Sequence, residues 1–136
     1  MREAASRTIR IAAALIDEEA GRVLLVRKTG TRWFMQAGGK IEAGETALAA
    51  LQRELAEDIG LEVCAQDVRH LGCFSASAAN EHNMIVEAEL FHIRVRHAPM
   101  AQAEIAEAIW VSAADAAGLP LAPLTRYVVL PLVRTL

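Results

Sequence analysis

The chain has 136 residues, of which 54% are hydrophobic and 23% carry a formal charge, and its net charge at pH 7 is −3. This composition excludes an intrinsically disordered chain, and the length predicts one domain over residues 1–136, because two separate cores would each be marginal at this size. The mildly acidic balance argues against a nucleic-acid partner, which normally needs a basic face.

The apolar segments of the sequence are short. The longest, residues 11–16 and 127–133, fall far below the roughly 20 residues that a bilayer requires. No long apolar segment follows the basic residues near position 1, as it would in a signal peptide. Cys64 and Cys73 have no metal-type spacing and are expected to be small buried hydrophobes. We therefore expect a cytoplasmic protein with no membrane partner.

The first half of the chain predicts strands followed by one strong helix. Residues 8–17 and 23–27 are rich in apolar side chains and are separated by turn residues, which predicts two strands joined by a tight loop. A polar loop over 28–32 and a short extended piece over 33–36 come next. Over residues 47–59, apolar side chains recur at helical spacings of three and four: Leu48, Leu51, Leu55 and Ile59.

The second half predicts further strands and a helical end. Strands are expected over residues 70–76, 84–95 and 109–112, and a short helix is expected to begin at 113–117. Residues 124–136 are apolar and predicted to be helical, although Pro131 interrupts the pattern. Strands on both sides of one strong helix predict an α/β domain whose mixed sheet is covered on both faces.

Three acidic residues of the long helix are expected to share one face. Glu54, Glu57 and Asp58 stand at i, i+3 and i+4, so their carboxylates lie close together and repel one another unless a cation intervenes. Oxygen ligands without cysteine or histidine favour magnesium or manganese. Taken alone, such a stripe is more often a solvated surface, and that alternative stays open on these three residues.

The residues around the stripe favour a site. Gly38 and Gly39 lie upstream, where bare backbone can approach a phosphate or offer a carbonyl to a metal. Lys40 and Arg53 add positive charge on either side, and the rigid fork of an arginine can hold a carboxylate in a fixed orientation.

One segment resembles a known family motif. From Gly39 the sequence has five residues, Glu45, seven residues, and then Arg53-Glu54-Leu55-Ala56-Glu57-Asp58-Ile59-Gly60-Leu61. This is similar to the Nudix box, G-x5-E-x7-R-E-U-x-E-E-x-G-U, in which U is aliphatic. Eight of its nine specified positions match, and Asp58 replaces a glutamate. The resemblance implies a Nudix-type α/β/α sandwich with a mixed central sheet.

The resemblance also implies an activity. It predicts hydrolysis of a nucleoside diphosphate linked to another moiety, such as a nucleoside triphosphate, with Mg²⁺ or Mn²⁺ activating the water that attacks phosphorus. Glu54, Glu57 and Asp58 would be metal ligands, with the Gly38 carbonyl as a further one. Either Glu54 or Glu57 would act as the base. The supporting residues that orient these acids would be Glu45 and Arg53.

Two acids carry finer expectations. Asp58 is one methylene shorter than glutamate, and magnesium tolerates little distortion, so Asp58→Ala is predicted to lower activity less than Glu54→Gln or Glu57→Gln. Some family members use an acid outside the box as base or metal ligand. Glu104 is the candidate and Glu107 its rival, while a plain surface acid is the alternative.

The substrate contacts are less defined by the sequence. Gly39 and Lys40 are candidates to contact phosphate, and a merely solvated Lys40 is the alternative. Trp33 is a candidate to stack on a base, against the favoured alternative of a core or lid tryptophan. Residues 118–136 contain no Asn or Asp, which disfavours readout of an oxidised guanine. A small-molecule nucleotide or pyrophosphate substrate is expected, with the subfamily unassigned.

Two other functional classes are alternatives to a hydrolase. A non-catalytic Nudix-like nucleotide-binding or regulatory module is the main one, and the retained acids favour catalysis over it. A self-associating structural protein would rest on the apolar residues 127–136, which are instead expected to join the core or a homodimer contact.

Overall fold

The computed structural model describes residues 7–78, 83–95 and 99–136. In these residues the strands are β1 (Arg7–Asp17), β2 (Val23–Lys28), β3 (Phe34–Met35), β4 (Ala37–Lys40), β5 (Arg69–Ser77), β6 (Met84–Arg94) and β7 (Ile105–Val111). The helices are α1 (Ala47–Ile59), α2 (Ala113–Ala116) and α3 (Leu130–Val133), with a 3₁₀ turn at Ala65–Asp67 and a π turn at Thr125–Val129.

The strands form one mixed sheet. Its order is β3-β2-β1-β6-β5, with β4 paired to β1 and β7 paired to β2. Strand β1 runs parallel to β6 from Arg7 opposite Met84 to Asp17 opposite Arg94, whereas the other pairings are antiparallel. The predicted mixed central sheet is therefore confirmed.

Both faces of the sheet are covered. Alternate residues of a strand point to opposite faces, so Ala12 and Ala14 of β1 pack under α1, while Ala13 and Leu15 join the core on the other side. That second core includes Val129 and other residues of the C-terminal helical segment. The predicted α/β/α sandwich is confirmed.

Helix α1 has the boundaries that its sequence predicts. The Thr46 hydroxyl accepts a hydrogen bond from the Ala49 N–H at 3.1 Å, and Gly60 ends the helix in the left-handed region at φ 64°. Leu51 and Leu55 are fully buried at 0% exposure. Because truncating such a side chain leaves a cavity, Leu55→Ala is expected to cost about 2–5 kcal/mol of stability.

Strand β7 and the two cysteines differ from the expectations drawn from the sequence. Strand β7 begins at Ile105, four residues before the predicted start at 109, because its first half pairs with β2 although its alternation is weak. Cys64 and Cys73 are exposed, so the prediction that they are buried is wrong. Cys73 lies on the edge strand β5, and Cys64 lies in the segment that precedes this strand.

The C-terminal segment is helical with a local irregularity. Proline has no N–H and its ring clashes with the carbonyl four residues earlier, so Pro131 disfavours regular α-helix just before it. There the helix widens into the π turn, in which the Leu130 N–H donates to the Thr125 carbonyl. Val129 is fully buried, whereas Tyr127 is 73% exposed. No helix of the described residues is long and apolar enough to cross a membrane.

Candidate active site

The glycine pair lies on β4, where β4 pairs with β1, and Gly39 faces α1. Gly38 is opposite Ala13 and has φ 149°, and a Cβ added there would overlap the backbone of Ala12. At Gly39 an added Cβ would lie 2.5 Å from Glu54 Oε1, closer than real contacts allow. Gly38 therefore needs glycine, because sheet backbone packs directly against it, whereas a side chain at Gly39 would displace the Glu54 carboxylate.

Three carboxylates of α1 converge beside this pair. Glu54, Glu57 and Asp58 each offer an oxygen, and these oxygens lie within 4.8 Å of one another. The side chains of Glu54 and Glu57 are 17% and 56% exposed, and Asp58 is 7% exposed. A set of hard oxygen donors on a partly buried face suits Mg²⁺ or Mn²⁺, and the Gly38 carbonyl lies on the neighbouring strand.

Asp58 is the electrostatically costly member of this set. Burial, followed by the adjacent Glu54 carboxylate, raises the pKa of Asp58 to about 6, while the positive charge of Lys28 acts in the opposite direction. Two neighbouring carboxylates that share a poorly hydrated region are difficult to ionise together. A divalent cation between them would remove that difficulty.

Arg53 orients the site from its other side. Its Nε donates to Glu45 Oε2 at 2.8 Å and its Nη2 donates to Glu45 Oε1 at 2.9 Å. Its Nη1 donates to Glu54 Oε1 at 2.9 Å, and Nη2 also reaches the Lys40 carbonyl at 3.1 Å. The guanidinium thus joins the loop before α1 to one carboxylate of the acidic cluster.

Glu45 completes this arrangement. Hydrogen bonds from Arg53 and from the Glu42 backbone N–H, which lies 2.9 Å from Glu45 Oε1, lower the pKa of Glu45 to about 2. The carboxylate therefore stays ionised at any pH near neutral, and its ion pair with Arg53 stays formed.

A cavity of about 180 Å³ opens beside the glycine pair. Most of its wall is apolar and comes mainly from β1 and the segment before the π turn, with Met35, Ala78 and Val86 completing it. Lys28, Gln36, Lys40 and Thr125 are among the polar residues of its lining. Gly38 and Gly39 belong to the cavity as well, so it adjoins the acidic cluster directly.

Trp33 and Glu104 are not among the residues of the cavity lining or of the carboxylate cluster in the described part of the chain. Trp33 is absent from the cavity lining and packs against Arg32, whose Cζ is 4.5 Å from its ring centroid. Glu104 is exposed on the segment before β7, where its carbonyl accepts from the Thr29 N–H at 2.7 Å, and it is not part of the carboxylate cluster found among the described residues. Its rival Glu107 is paired with Arg27 at 2.8 Å.

Among the polar residues of the cavity, sequence reasoning missed Lys28, Gln36 and Thr125, which bear most on the site. Lys28 ends β2, where the sequence predicts the start of a polar loop, and its charge acts on Asp58. Gln36 and Thr125 are buried polar residues that bond to each other at 2.8 Å across 89 positions of the chain. The only available signal was a polar residue inside each of two otherwise apolar segments.

Comparisons with known proteins agree with this geometry. The NUDIX domain family model matches residues 7–133, and the chain belongs to this family. A relative named CTP pyrophosphohydrolase, from Escherichia coli strain K12, is 31% identical over 121 residues, covering 85% of this chain and 84% of that protein. The recognition of a Nudix protein from its sequence is confirmed.

Solved structures support the same fold. The E. coli ORF135 protein is 28% identical, with a TM-score of 0.69 over 94% of this chain and 87% of that one. The E. coli dihydroneopterin triphosphate pyrophosphohydrolase has a TM-score of 0.80 over 98% of this chain and 100% of that one, and at 18% identity it bears on the fold alone.

Proposed function

We propose that the protein is a magnesium-dependent pyrophosphohydrolase that cleaves a nucleoside triphosphate or a related nucleoside diphosphate derivative. One observation carries this proposal: the carboxylates of Glu54, Glu57 and Asp58 converge, and the Glu54 carboxylate packs against Gly39, a residue of the cavity lining. An acidic stripe that merely faced water would have no reason to include a carboxylate buried to 7% exposure or to pack on a glycine.

The polar part of the cavity lining, next to the glycine pair, suits a polyphosphate. Lys28 and Lys40 line it beside Gly38 and Gly39, so two ammonium groups and bare backbone stand where phosphate oxygens would lie next to the acids. The apolar remainder of the wall is suited to a flat ring. A nucleoside triphosphate, with its base in the cavity and its phosphates toward α1, satisfies both halves of the site.

The acids would hold the cation. Glu54, Glu57, Asp58 and the Gly38 carbonyl are the proposed ligands, and Glu104 is the candidate for a further acid from outside the box. When bound, Mg²⁺ would neutralise charge on the diphosphate oxygens and make the attacking water more acidic. Manganese would satisfy the same oxygen donors.

The protein's own residues position the reaction. Arg53 fixes Glu54 through a 2.9 Å hydrogen bond, and Glu45 fixes Arg53 through two more. Glu57 is more exposed and has only a long 3.9 Å contact with Arg53, so its carboxylate is less restrained in position. We propose that Glu54 or Glu57 accepts the proton of the attacking water, while Arg53 and Glu45 keep the acids in place.

The similarity to a CTP pyrophosphohydrolase supports a nucleoside triphosphate as substrate. Water would add to one phosphorus of the chain and the bond to the bridging oxygen would break, which gives a nucleoside monophosphate and pyrophosphate. The decisive assay incubates nucleoside triphosphates, sugar nucleotides, ADP-ribose and dinucleoside polyphosphates with enzyme and Mg²⁺, and identifies the products by chromatography.

Glu54→Gln is the inactive comparison for this assay, because it removes the charge of a proposed metal ligand and preserves the size of the side chain. We expect turnover that requires Mg²⁺ or Mn²⁺ and is lost in this variant. Nucleotide binding without turnover in the wild type would instead support the alternative, a non-catalytic binding module, and would contradict the proposal.

A further inference from the structure

We propose that Gln36, held by Thr125, determines which base the enzyme accepts, by donating a hydrogen bond from its amide nitrogen to an acceptor atom of the base. This inference rests on the proposed function, because it assigns the cavity to the non-phosphate part of the substrate. Gln36 lies between β3 and β4, two positions before the glycine pair.

The Gln36 amide is fixed in one orientation. Its Oε1 accepts a hydrogen bond from Thr125 Oγ1 at 2.8 Å, inside a buried region in which Gln36 is 7% and Thr125 0% exposed. Rotating the amide would turn its nitrogen toward Thr125 Oγ1 and leave the buried hydroxyl proton without the acceptor that Oε1 provides, which is costly. The carbonyl end of the amide is therefore occupied by the protein.

The nitrogen end of the same amide is available to a ligand. Within the described residues Nε2 makes no hydrogen bond, and Gln36 lines the cavity. Among the described residues no fully enclosed polar side-chain atom lacks a partner, so Nε2 keeps some exposed surface, and Gln36 belongs to the cavity lining. It presents two N–H donors and no acceptor.

The wall around this donor makes it selective. Near Gln36 the cavity is lined by apolar side chains such as Met35, Leu124 and Val86. A base that places a carbonyl oxygen or a ring nitrogen against Nε2 satisfies the amide. A base that places a C–H or an amino group there leaves a desolvated donor unpaired, and unpaired buried polar groups are the strongest source of discrimination between similar ligands.

The first test compares wild type with Gln36→Met, which keeps an unbranched side chain of similar length without N–H donors. For each of the four nucleoside triphosphates, kcat/KM is measured at saturating Mg²⁺. We expect the ratio between the best and the poorest base to fall by roughly 10- to 100-fold in the variant, as the loss of one buried hydrogen bond implies. An unchanged ratio would overturn the proposal.

Substrate analogues identify the atom. The substrates are analogues of the preferred nucleotide that each lack one hydrogen-bond acceptor of the base. Deaza analogues replace a ring nitrogen by C–H, and deoxygenated analogues lack a carbonyl oxygen. For wild type, one such replacement should lower kcat/KM by roughly 10-fold or more, and Gln36→Met should lose little further on it, since the two changes delete the same bond. Independent, additive losses for every analogue would contradict a direct contact.

Thr125 is a positioning residue and has its own comparison. Thr125→Val removes the hydroxyl at nearly constant shape and should relax the base preference, while Thr125→Ser retains the hydroxyl and should keep it. Thr135→Val is the control, because the Thr135 hydroxyl bonds the Leu132 carbonyl on the exposed end of the chain, away from the cavity. Melting temperatures check that each variant is folded, and equal preferences in the Val and Ser variants would contradict the role.

The proposal can be judged separately from the activity. If no compound of the assay panel is hydrolysed, the proposed function fails, and dissociation constants of the four nucleoside monophosphates, measured by calorimetry, replace kcat/KM. A base preference in binding that Gln36→Met removes would still support the readout. Binding with no preference would overturn it.

Discussion

Arg53 and Glu45 form a two-point ion pair, with Nε to Oε2 at 2.8 Å and Nη2 to Oε1 at 2.9 Å, and the remaining nitrogen of the guanidinium holds Glu54. A lysine has one ammonium and cannot reach both carboxylates with the same geometry. The pair therefore links the loop that comes after β4 to the acidic face of α1.

Replacing this arginine tests the link. We expect Arg53→Lys to lower kcat by about 10- to 100-fold, the usual effect of losing a group that orients a metal ligand, with a smaller change in the melting temperature. Steady-state kinetics at saturating Mg²⁺ measure it. Arg22→Lys is the matched control, since Arg22 pairs with Glu18 on an exposed turn. Equal activity of the two variants would contradict the role of Arg53.

Gly39 offers a steric test of the acidic cluster. An added methyl group would occupy the space of the Glu54 carboxylate, so Gly39→Ala should displace that side chain and lower kcat/KM by about 100-fold or more, because misplaced catalytic groups are costly. Gly118→Ala is the control, because a Cβ there meets only Asp115 O at an ordinary 3.6 Å. Wild-type kinetics in Gly39→Ala would show that Glu54 does not need this position.

The raised pKa of Asp58 predicts how the metal-free protein responds to pH. Its folded value is about 6 and its ordinary value is 3.8, so the folded state binds more protons between these values. The neutral form is favoured by folding, and its stabilising contribution is present at low pH and is lost as pH rises through about 6. Denaturant unfolding with EDTA should show this dependence, with up to about one proton taken up on folding near pH 5.

Asp58→Asn should flatten that pH dependence, since an amide does not titrate, and Asp115→Asn on the exposed helix α2 should leave it unchanged. The stabilisation by bound magnesium should instead increase as pH rises. Its ligands must be deprotonated, so the rise in melting temperature on adding Mg²⁺ should be larger at pH 7.5 than at pH 5. A rise that is independent of pH would argue against Asp58 as a ligand.

The three acids are expected to differ in importance. Glu54 is bonded to Arg53 and Glu57 has a full-length glutamate side chain, whereas Asp58 is one methylene shorter. The prediction stays that Asp58→Ala lowers turnover at saturating Mg²⁺ less than Glu54→Gln or Glu57→Gln. The same assay under matched conditions ranks them, and greater damage at Asp58 would refute the ordering.

The features that could be predicted from the sequence are mainly local. Helix α1, its cap at Thr46 and its end at Gly60 depend on residues within one segment, and the face shared by Glu54 and Glu57 depends on helical geometry. The Nudix box adds fixed spacing, which identified the family. All of these are short-range relationships that a single sequence carries.

The rest of the site depends on contacts between distant segments. Gln36 and Thr125 are 89 positions apart, and nothing in either neighbourhood indicates the other. Strand β7 gains its first residues from pairing with β2, which outweighs its weak alternation. From the sequence Trp33 is a candidate for a base contact, with a core or lid position as the favoured alternative, and the structure places its ring against Arg32.

The missing N–H of Pro131 accompanies a π turn in the residues just before it, from Thr125 to Val129. A π turn contains one more residue than an α turn, so it rotates the residues before it by roughly 100° relative to the residues after it. Thr125 begins that turn, and its hydroxyl bonds Gln36 Oε1 within the cavity lining. Pro131, six positions along the chain and outside the cavity lining, therefore adjoins the same helical irregularity as a group proposed to shape substrate choice.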